Sequence, residues 1–396
     1  MSTFLGLIEE IPGISIDRFD GDNLNSSAFF LSHGHTDHMK GLNYDFFHFL
    51  KRKDSFLYCS HITKLIVENK FPKFDRCIIE KHLIQINIDE LNVINYVHCG
   101  TQVSITVTCV PSGHCPGSVM FLLNFGDKRI LYTGDFRISI EDISKLKSLH
   151  YTTNSQRLPL QIDKIYLDTT FLDVDFQILP SRLDSLKKLA AVVKEWVEKD
   201  PKNVVLIEFS AKYGSEFLYM ELSKMLNKRI HVKDDLYRVY SRLDILANHV
   251  TDIAESTSIH ACMDKNASKK KKGLQCRPDV VQNNILTIIP SVMKWAGKDT
   301  SCIIEHDSIE AQTINVCYST HASYREIEAF IQYFKPTEVF ACVDKDGIDD
   351  LLRNIMQNKK RDKFPAGVKK LKFSNYKTFN NVSNFKPTLI SDDEDE

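Results

Sequence analysis

The chain has 396 residues, 43% of them hydrophobic and 26% charged, with a formal net charge of −1. That balance describes a globular protein with a sizeable core and excludes a collagen-like, coiled-coil or largely disordered one. No run approaches the ~18 consecutive apolar residues of a membrane helix, and the opening MSTFLGLIEE lacks the basic region and long apolar core of a secretory signal.

Up to about residue 170 the sequence reads as strands with few helices. ISIDRF, AFFLSH, SFLYC, LIQINI, VSITVTCV, SVMFLLNF, RILYTG and KIYLD are short apolar or alternating runs separated by polar turns. Beyond Pro180 the period changes: SRLDSLKKLAAVVKEWVEK has helical spacing, with Ser181 as N-cap. VVLIEF then reads as a buried strand and GSEFLYMELSKML as a helix. Strands and helices alternate from there to Ile304, interrupted by the polar stretch around SKKKKG. An amphipathic helix over Tyr324 to Phe334, a strand EVFACV and a helix from Gly347 follow. From Leu351 to Ile390 there are ten Lys or Arg against one Asp, and the last five residues, Asp392 to Glu396, are all acidic. Such a basic run is commonly a solvated tail, and otherwise a phosphate-binding or nuclear-import segment; the fold is expected to end before about residue 370. The ten cysteines lie mostly within apolar runs and read as reduced thiols of a cytosolic or nuclear protein.

The chemistry concentrates in residues 33–38, His-Gly-His-Thr-Asp-His, directly after the strand AFFLS. If the strand geometry persists, His33 and His35 project to the same side, and Asp37 and His38 follow on the turn as a second group of ligands. His114 in PSGHCPGS and Asp135 in YTGDFR both follow strands. With His33 and His35 they make a three-histidine, one-aspartate set suited to tetrahedral zinc. Asp135 is also placed to bridge to a second ion held by Asp37 and His38. A zinc ion lowers the pKa of its water to about 7, and two ions ~3.5–4 Å apart can clamp a phosphodiester during in-line attack. No serine or cysteine nucleophile is then required, and Cys115, beside a ligand, reads as structural.

HGHTDH, the later GH and the later GD resemble the metallo-β-lactamase superfamily. SIDRFD, HTDHMKGL, GHCPGSVMFL, LYTGDFR and YLDTTF narrow the resemblance to the DNA-processing β-CASP nucleases, in the DNA cross-link repair group, over roughly residues 1 to 345. The resemblance implies an α/β (α+β) fold, an αββα metallo-β-lactamase sandwich with an inserted β-CASP domain. Its parts would be 1–165 and 310–365 for the sandwich, 166–309 for the β-CASP domain with a zinc-finger-like site, and 366–396 for a basic then acidic tail. It further implies that Asp17 braces the metal cluster and that His33, His35, His114 and Asp135 hold the first metal. Asp37, His38, the shared Asp135 and His321 would hold the second, with Asp168 as the first β-CASP motif residue. Zinc is the expected metal, with Mg²⁺ or Mn²⁺ an option at the second position.

The expected substrate is DNA, which needs a basic groove. Candidates are Lys40, Arg137, Lys212 and the basic C-terminal segment; Lys212 and Tyr213 match a β-CASP loop near the cleft, and Ser319 and Ser323 flank His321 as phosphate donors. Thr36 stands where the nearest members of the group have a lysine. The resemblance implies a 5′-to-3′ exonuclease and structure-selective endonuclease acting on hairpins, overhangs and single-to-double-strand junctions. The implied process is double-strand-break repair by non-homologous end joining, in the nucleus, with no membrane association. A 5′ exonuclease for interstrand cross-link repair is the alternative. A small-molecule thioesterase or lactamase would share HGHTDH but lack the inserted domain, and a non-catalytic scaffold would be expected to have lost ligands. In the family, recruitment by the DNA-dependent protein kinase or a DNA ligase runs through a long tail, and the short stretch after the core argues against it here.

A separate structural zinc is expected at His231, His260, Cys262 and Cys276: two histidines and two cysteines close a tetrahedron without an open position. The intervening MDKNASKKKKGLQ is too polar to build a core of its own. The set also matches a zinc-finger-like feature of the resembled β-CASP domains. Otherwise His260 serves the catalytic cleft and the cysteines are ordinary thiols.

Overall fold

A strand that is apolar on every residue must be covered on both faces, and Ala28–Leu31 is buried throughout. β1 (Ile14–Ile16), β2 (Ala28–Leu31), β3 (Phe56–Cys59) and β4 (Leu83–Gln85) pair in that order, all parallel, in the computed structural model. Residues 2–71, 76–154, 156–209, 212–263, 273–310 and 312–357 are described. Parallel neighbours need crossovers. Helices α1 (Tyr44–Lys53), α2 (His61–Lys70) and α3 (Arg76–His82) supply two of them, although the sequence reads as poor in helices there.

The second sheet is a meander that recruits two later strands. β5 (Leu91–His98), β6 (Thr101–Pro111), β7 (Val119–Phe125) and β8 (Lys128–Tyr132) run antiparallel. After the hairpin of β9 (His150–Thr153) and β10 (Gln156–Pro159), β11 (Lys164–Leu167) joins β8 in parallel. Phe30, Phe121, Tyr132 and Tyr166 pack between the two sheets. Phe29, Phe47 and Leu50 cover the outer face of the first sheet with its helices. The layers are therefore helix, sheet, sheet, helix.

The chain then leaves to build a third sheet. Helix α4 (Arg182–Lys199) precedes β12 (Val204–Ile207), and α5 (Glu216–Leu226), β13 (Ile230–His231), α6 (Asp234–Tyr240), α7 (Asp244–Ala247), β14 (Val250–Thr251), β15 (Ile259–His260), β16 (Ile285–Pro290), β17 (Ile304–His306) and β18 (Thr313–Val316) follow. Its order is β14-β13-β15-β12-β16-β18-β17, with only the last pair antiparallel. Leu189 and Val193 of α4 and Leu218 and Leu222 of α5 pack on Val205 and Ile288. The expected return at residue 310 comes later, because β18 still pairs with β16 over Thr313–Val316. Only after α8 (Tyr324–Phe334) does the chain rejoin the second sheet, through β19 (Glu338–Ala341) parallel to β11. Helix α9 (Ile348–Met356) then packs with α8 over Ile165 and Leu167. The basic and acidic tail lies outside the described residues, as does most of the lysine-rich segment around SKKKKG.

Candidate metal centre

Strands held by a buried sheet end at fixed places, and loops at those ends can aim side chains at a common point. Here β2 delivers His33 and His35 and the 3₁₀ turn carrying His38; β6, β8, β11 and β18 deliver His114, Asp135, Asp168 and His321. The donor atoms converge in three overlapping groups, His33–His35–His114–Asp135, Asp17–His33–His38 and Asp135–Asp168–His321. Asp135 is at the hub. Its Oδ2 lies 3.6 Å from His33 Nε2, 3.6 Å from His114 Nε2 and 3.8 Å from His321 Nε2, and its Oδ1 is 3.2 Å from His38 Nε2.

The ring orientations are fixed from outside the cluster, which is how metal-ligating histidines are prepared. His38 Nδ1 lies 2.8 Å from Asp17, His321 Nδ1 2.8 Å from Asp168, His114 Nδ1 3.0 Å from the Thr320 carbonyl and His33 Nδ1 2.9 Å from Ser32 Oγ. Each bond leaves Nε2 facing inward. His35 is turned the other way: its Nδ1 is 3.1 Å from His114 Nε2, and its Nε2 faces Gly214. Asp17 is in turn held by Ser32 N, Ser32 Oγ and the Tyr132 hydroxyl, at 2.7, 2.5 and 2.8 Å, and sits at φ +57°. Ser32 and Tyr132 carry no local sequence signal as site residues; Tyr132 comes from another sheet, 115 residues away.

The buried Nε2 atoms of His33 and His38 face Asp135 without a well-formed hydrogen bond among the described residues, so the cluster fits divalent cations. Electrostatics agree. Burial pulls the pKa of His33 and His114 well down and that of His35 to about 4, keeping those rings neutral and able to donate a lone pair. Burial also opposes charge on His38 and His321, but Asp135 with Asp17, and Asp168 with Asp135, outweigh it; His38 rises well above its ordinary value and His321 to about 9. The carboxylates thus draw positive charge to this place. Asp135, despite its burial, is held well below the usual carboxylate range by His38 and His321.

Other expected site residues fall differently. Asp37 is exposed at the rim of a cavity of about 310 Å³ that His35, His114, Asp135 and His321 also line, but its carboxylate does not join the converging donors. Tyr213 and Ser319 line the same cavity. Ser319 Oγ is spent locally, donating to the His321 carbonyl and accepting from the His321 amide. Lys212 is not a free phosphate contact, because Asp235 holds its Nζ at 2.6 Å. Ser323 is buried and caps α8 in a capping box with Glu326, so its hydroxyl serves the helix. Arg137 is buried too, donating to the Ser319 and Pro180 carbonyls and pairing with Glu326. Lys40 is exposed, 4.0 Å from Asp20.

The second expected cluster is assembled. His231 and His260 are paired across β13 and β15, and a donor atom of each lies with the Cys262 and Cys276 sulfurs within a 4.8 Å sphere of mutual distances. The sulfurs are 3.3 Å apart and His260 Nδ1 is 3.4 Å from Cys276. Hydrogen bonding from Cys262 pulls the Cys276 thiol far down, while the same bond and burial push Cys262 up. His260 lies in this cluster and does not line the cavity at Asp135.

A family model described as DNA repair metallo-beta-lactamase matches residues 244–347. "Protein artemis" of Rattus norvegicus is 37% identical over 361 residues, covering 88% of this chain and 50% of that one. "DNA cross-link repair protein SNM1" of Arabidopsis thaliana is 26% identical over 349 residues, covering 85% and 65%. A solved protein of unknown function from Enterococcus faecalis V583 shares the fold, with a TM-score of 0.50 at 14% identity over 81% of this chain and 76% of that one. The chain spans about half the length of the Artemis proteins it matches.

Proposed function

The chain belongs to the DNA-repair metallo-β-lactamase family, in the Artemis group, and from that premise we propose that it is a divalent-metal-dependent DNA nuclease. The observation that carries the reading is the convergence of His33, His35, His38, His114 and His321 around Asp135, with every ring but that of His35 held by a partner on its other nitrogen. His33, His35, His114 and Asp135 would hold one ion, and His38, His321 and the shared Asp135 a second, with Asp37 at the rim completing it. Zinc fits the histidine-rich first set, and zinc, Mg²⁺ or Mn²⁺ the second. Such ions, when bound, supply activated water and positive charge for phosphodiester hydrolysis. The protein's own part is positioning. Asp17 and Asp168 orient His38 and His321, and the Thr320 carbonyl orients His114.

The substrate proposed is DNA with hairpins, overhangs or single-to-double-strand junctions, cut by a 5′-to-3′ exonuclease and structure-selective endonuclease during non-homologous end joining in the nucleus. The DNA-repair description of the matching family model and the basic segment between Leu351 and Ile390 support DNA as the substrate. The test is a cleavage map of end-labelled hairpin, 5′-overhang and single-stranded DNA with defined metals, beside a lactam and a thioester. Metal-dependent cutting of DNA is expected. Turnover of the small molecule with DNA left intact overturns the reading.

A further inference from the structure

The cavity at the metal cluster has a mixed lining. Polar groups, namely His35, His114, His321, Asp135 and several hydroxyls, share it with Phe171, Phe209, Pro290 and Val292. Phe171 is already engaged, 4.6 Å from the Phe176 ring and edge-on to His321. Phe209, just past the end of β12, meets Tyr219 at 82° and 5.9 Å and is only half-buried. An aromatic ring open to a polar, cation-attracting cavity is not needed to hold metal.

We propose that Phe209 is a base-stacking platform, taking one unpaired base of the nucleotide whose phosphodiester lies at the His/Asp cluster. This rests on the nuclease reading above and adds a determinant of substrate structure to it. To present its face to Phe209 a base must leave its own stack, and the cavity, at about 310 Å³, lies at the small end of ligand sites. A paired nucleotide must therefore be unstacked and unpaired to enter, a cost that overhangs, hairpin tips and junctions have largely met already. Every base presents a π-face, so stacking selects for an unpaired base without selecting its identity. Pro290 and Val292 line the same cavity and add apolar surface to it.

The test uses the full chain with divalent metal and a single-stranded extension whose cleavage position has been mapped. A base-bearing nucleotide is compared with an abasic residue on each side of the scissile phosphate. The wild-type protein should cut one of the two abasic substrates roughly 5- to 150-fold more slowly, the range of one lost base–aromatic stack. Phe209→Leu, which keeps an apolar side chain against Tyr219, should be slowed to a similar degree on the normal strand and no further by the abasic residue. Phe209→Tyr should keep the abasic penalty. Wild-type protein that cuts DNA with no abasic penalty, or a penalty that survives in Phe209→Leu, overturns the stacking proposal alone. Wild-type protein that cuts no DNA at all overturns the reading beneath it. An absent wild-type penalty overturns the proposal whether or not the leucine variant folds, and Phe209→Met serves in its place if it does not.

Discussion

Asp17 is the residue on which the orientation of His38 depends, and it is held in a left-handed conformation by three hydrogen bonds to do so. Asn tolerates that conformation but cannot offer two anionic oxygens. Asp17→Asn should therefore fold while losing roughly 10–100-fold in metal affinity or activity, read by metal titration beside DNA cleavage. Gly214 is constrained from the other side. Its φ is +108°, and a Cβ there would lie 2.7 Å from His35 Nε2. Gly214→Ala should displace His35 and cost about 1–3 kcal/mol of backbone strain; metal content and the thermal midpoint should both fall. At this scale the sequence was informative where ligand types crowd together, as in HGHTDH, because few structural roles need three histidines and an aspartate so close. It misled where a polar residue stood alone. Whether Lys212 is free depends on Asp235, which nothing in SAKYGSEF announces, whereas Ser323 stands three residues before Glu326 in a capping-box pattern that the sequence itself carries.

Among the elements, α8 shows how one loop serves both the fold and the cavity. Ser323 begins the helix two residues after His321, and its capping box with Glu326 fixes where the helix starts. Ser323→Ala should lower stability by about 1 kcal/mol, while the affinity for DNA stays near wild type. A large loss of DNA affinity without loss of stability would restore the phosphate-donor role. Strand positions were legible because period-two and all-apolar runs mark half-buried and fully buried strands. The helices α1 and α2 were not read, since YDFFHFLKRK and HITKLIVENK mix aromatic and β-branched residues with helix formers. What makes them helices is the pairing of β2 with β3 and β3 with β4, all parallel, which demands a crossover each time. Ordinary caps then suffice, Asn43 for α1 and Ser60 for α2.

Across the whole molecule, the third sheet has its own fastening. His231, His260, Cys262 and Cys276 bring the ends of β13 and β15 together with a segment that resumes beyond the lysine-rich stretch, where a zinc ion would fasten them. Cys276→Ala should lose one tightly bound zinc per chain and unfold at lower temperature, with any loss of cleavage following from that. Metal analysis with thermal unfolding checks it, and unchanged zinc in a folded variant would refute the site. This cluster was readable because two cysteines and two histidines flank a stretch unable to form a core. The placement of β18 in the third sheet was not, since a four-residue apolar run can join either sheet and only tertiary pairing decides.

The path of the chain also sets an order in time. His33, His38, His114 and Asp135 precede the third sheet, whereas His321 follows it. On the ribosome, the last histidine emerges only after that sheet has been synthesised. A nascent or prematurely terminated chain can gather most of the ligands but never the full set. Under the nuclease reading, a chain still on the ribosome lacks part of its metal set until nearly all of its folded part has been made.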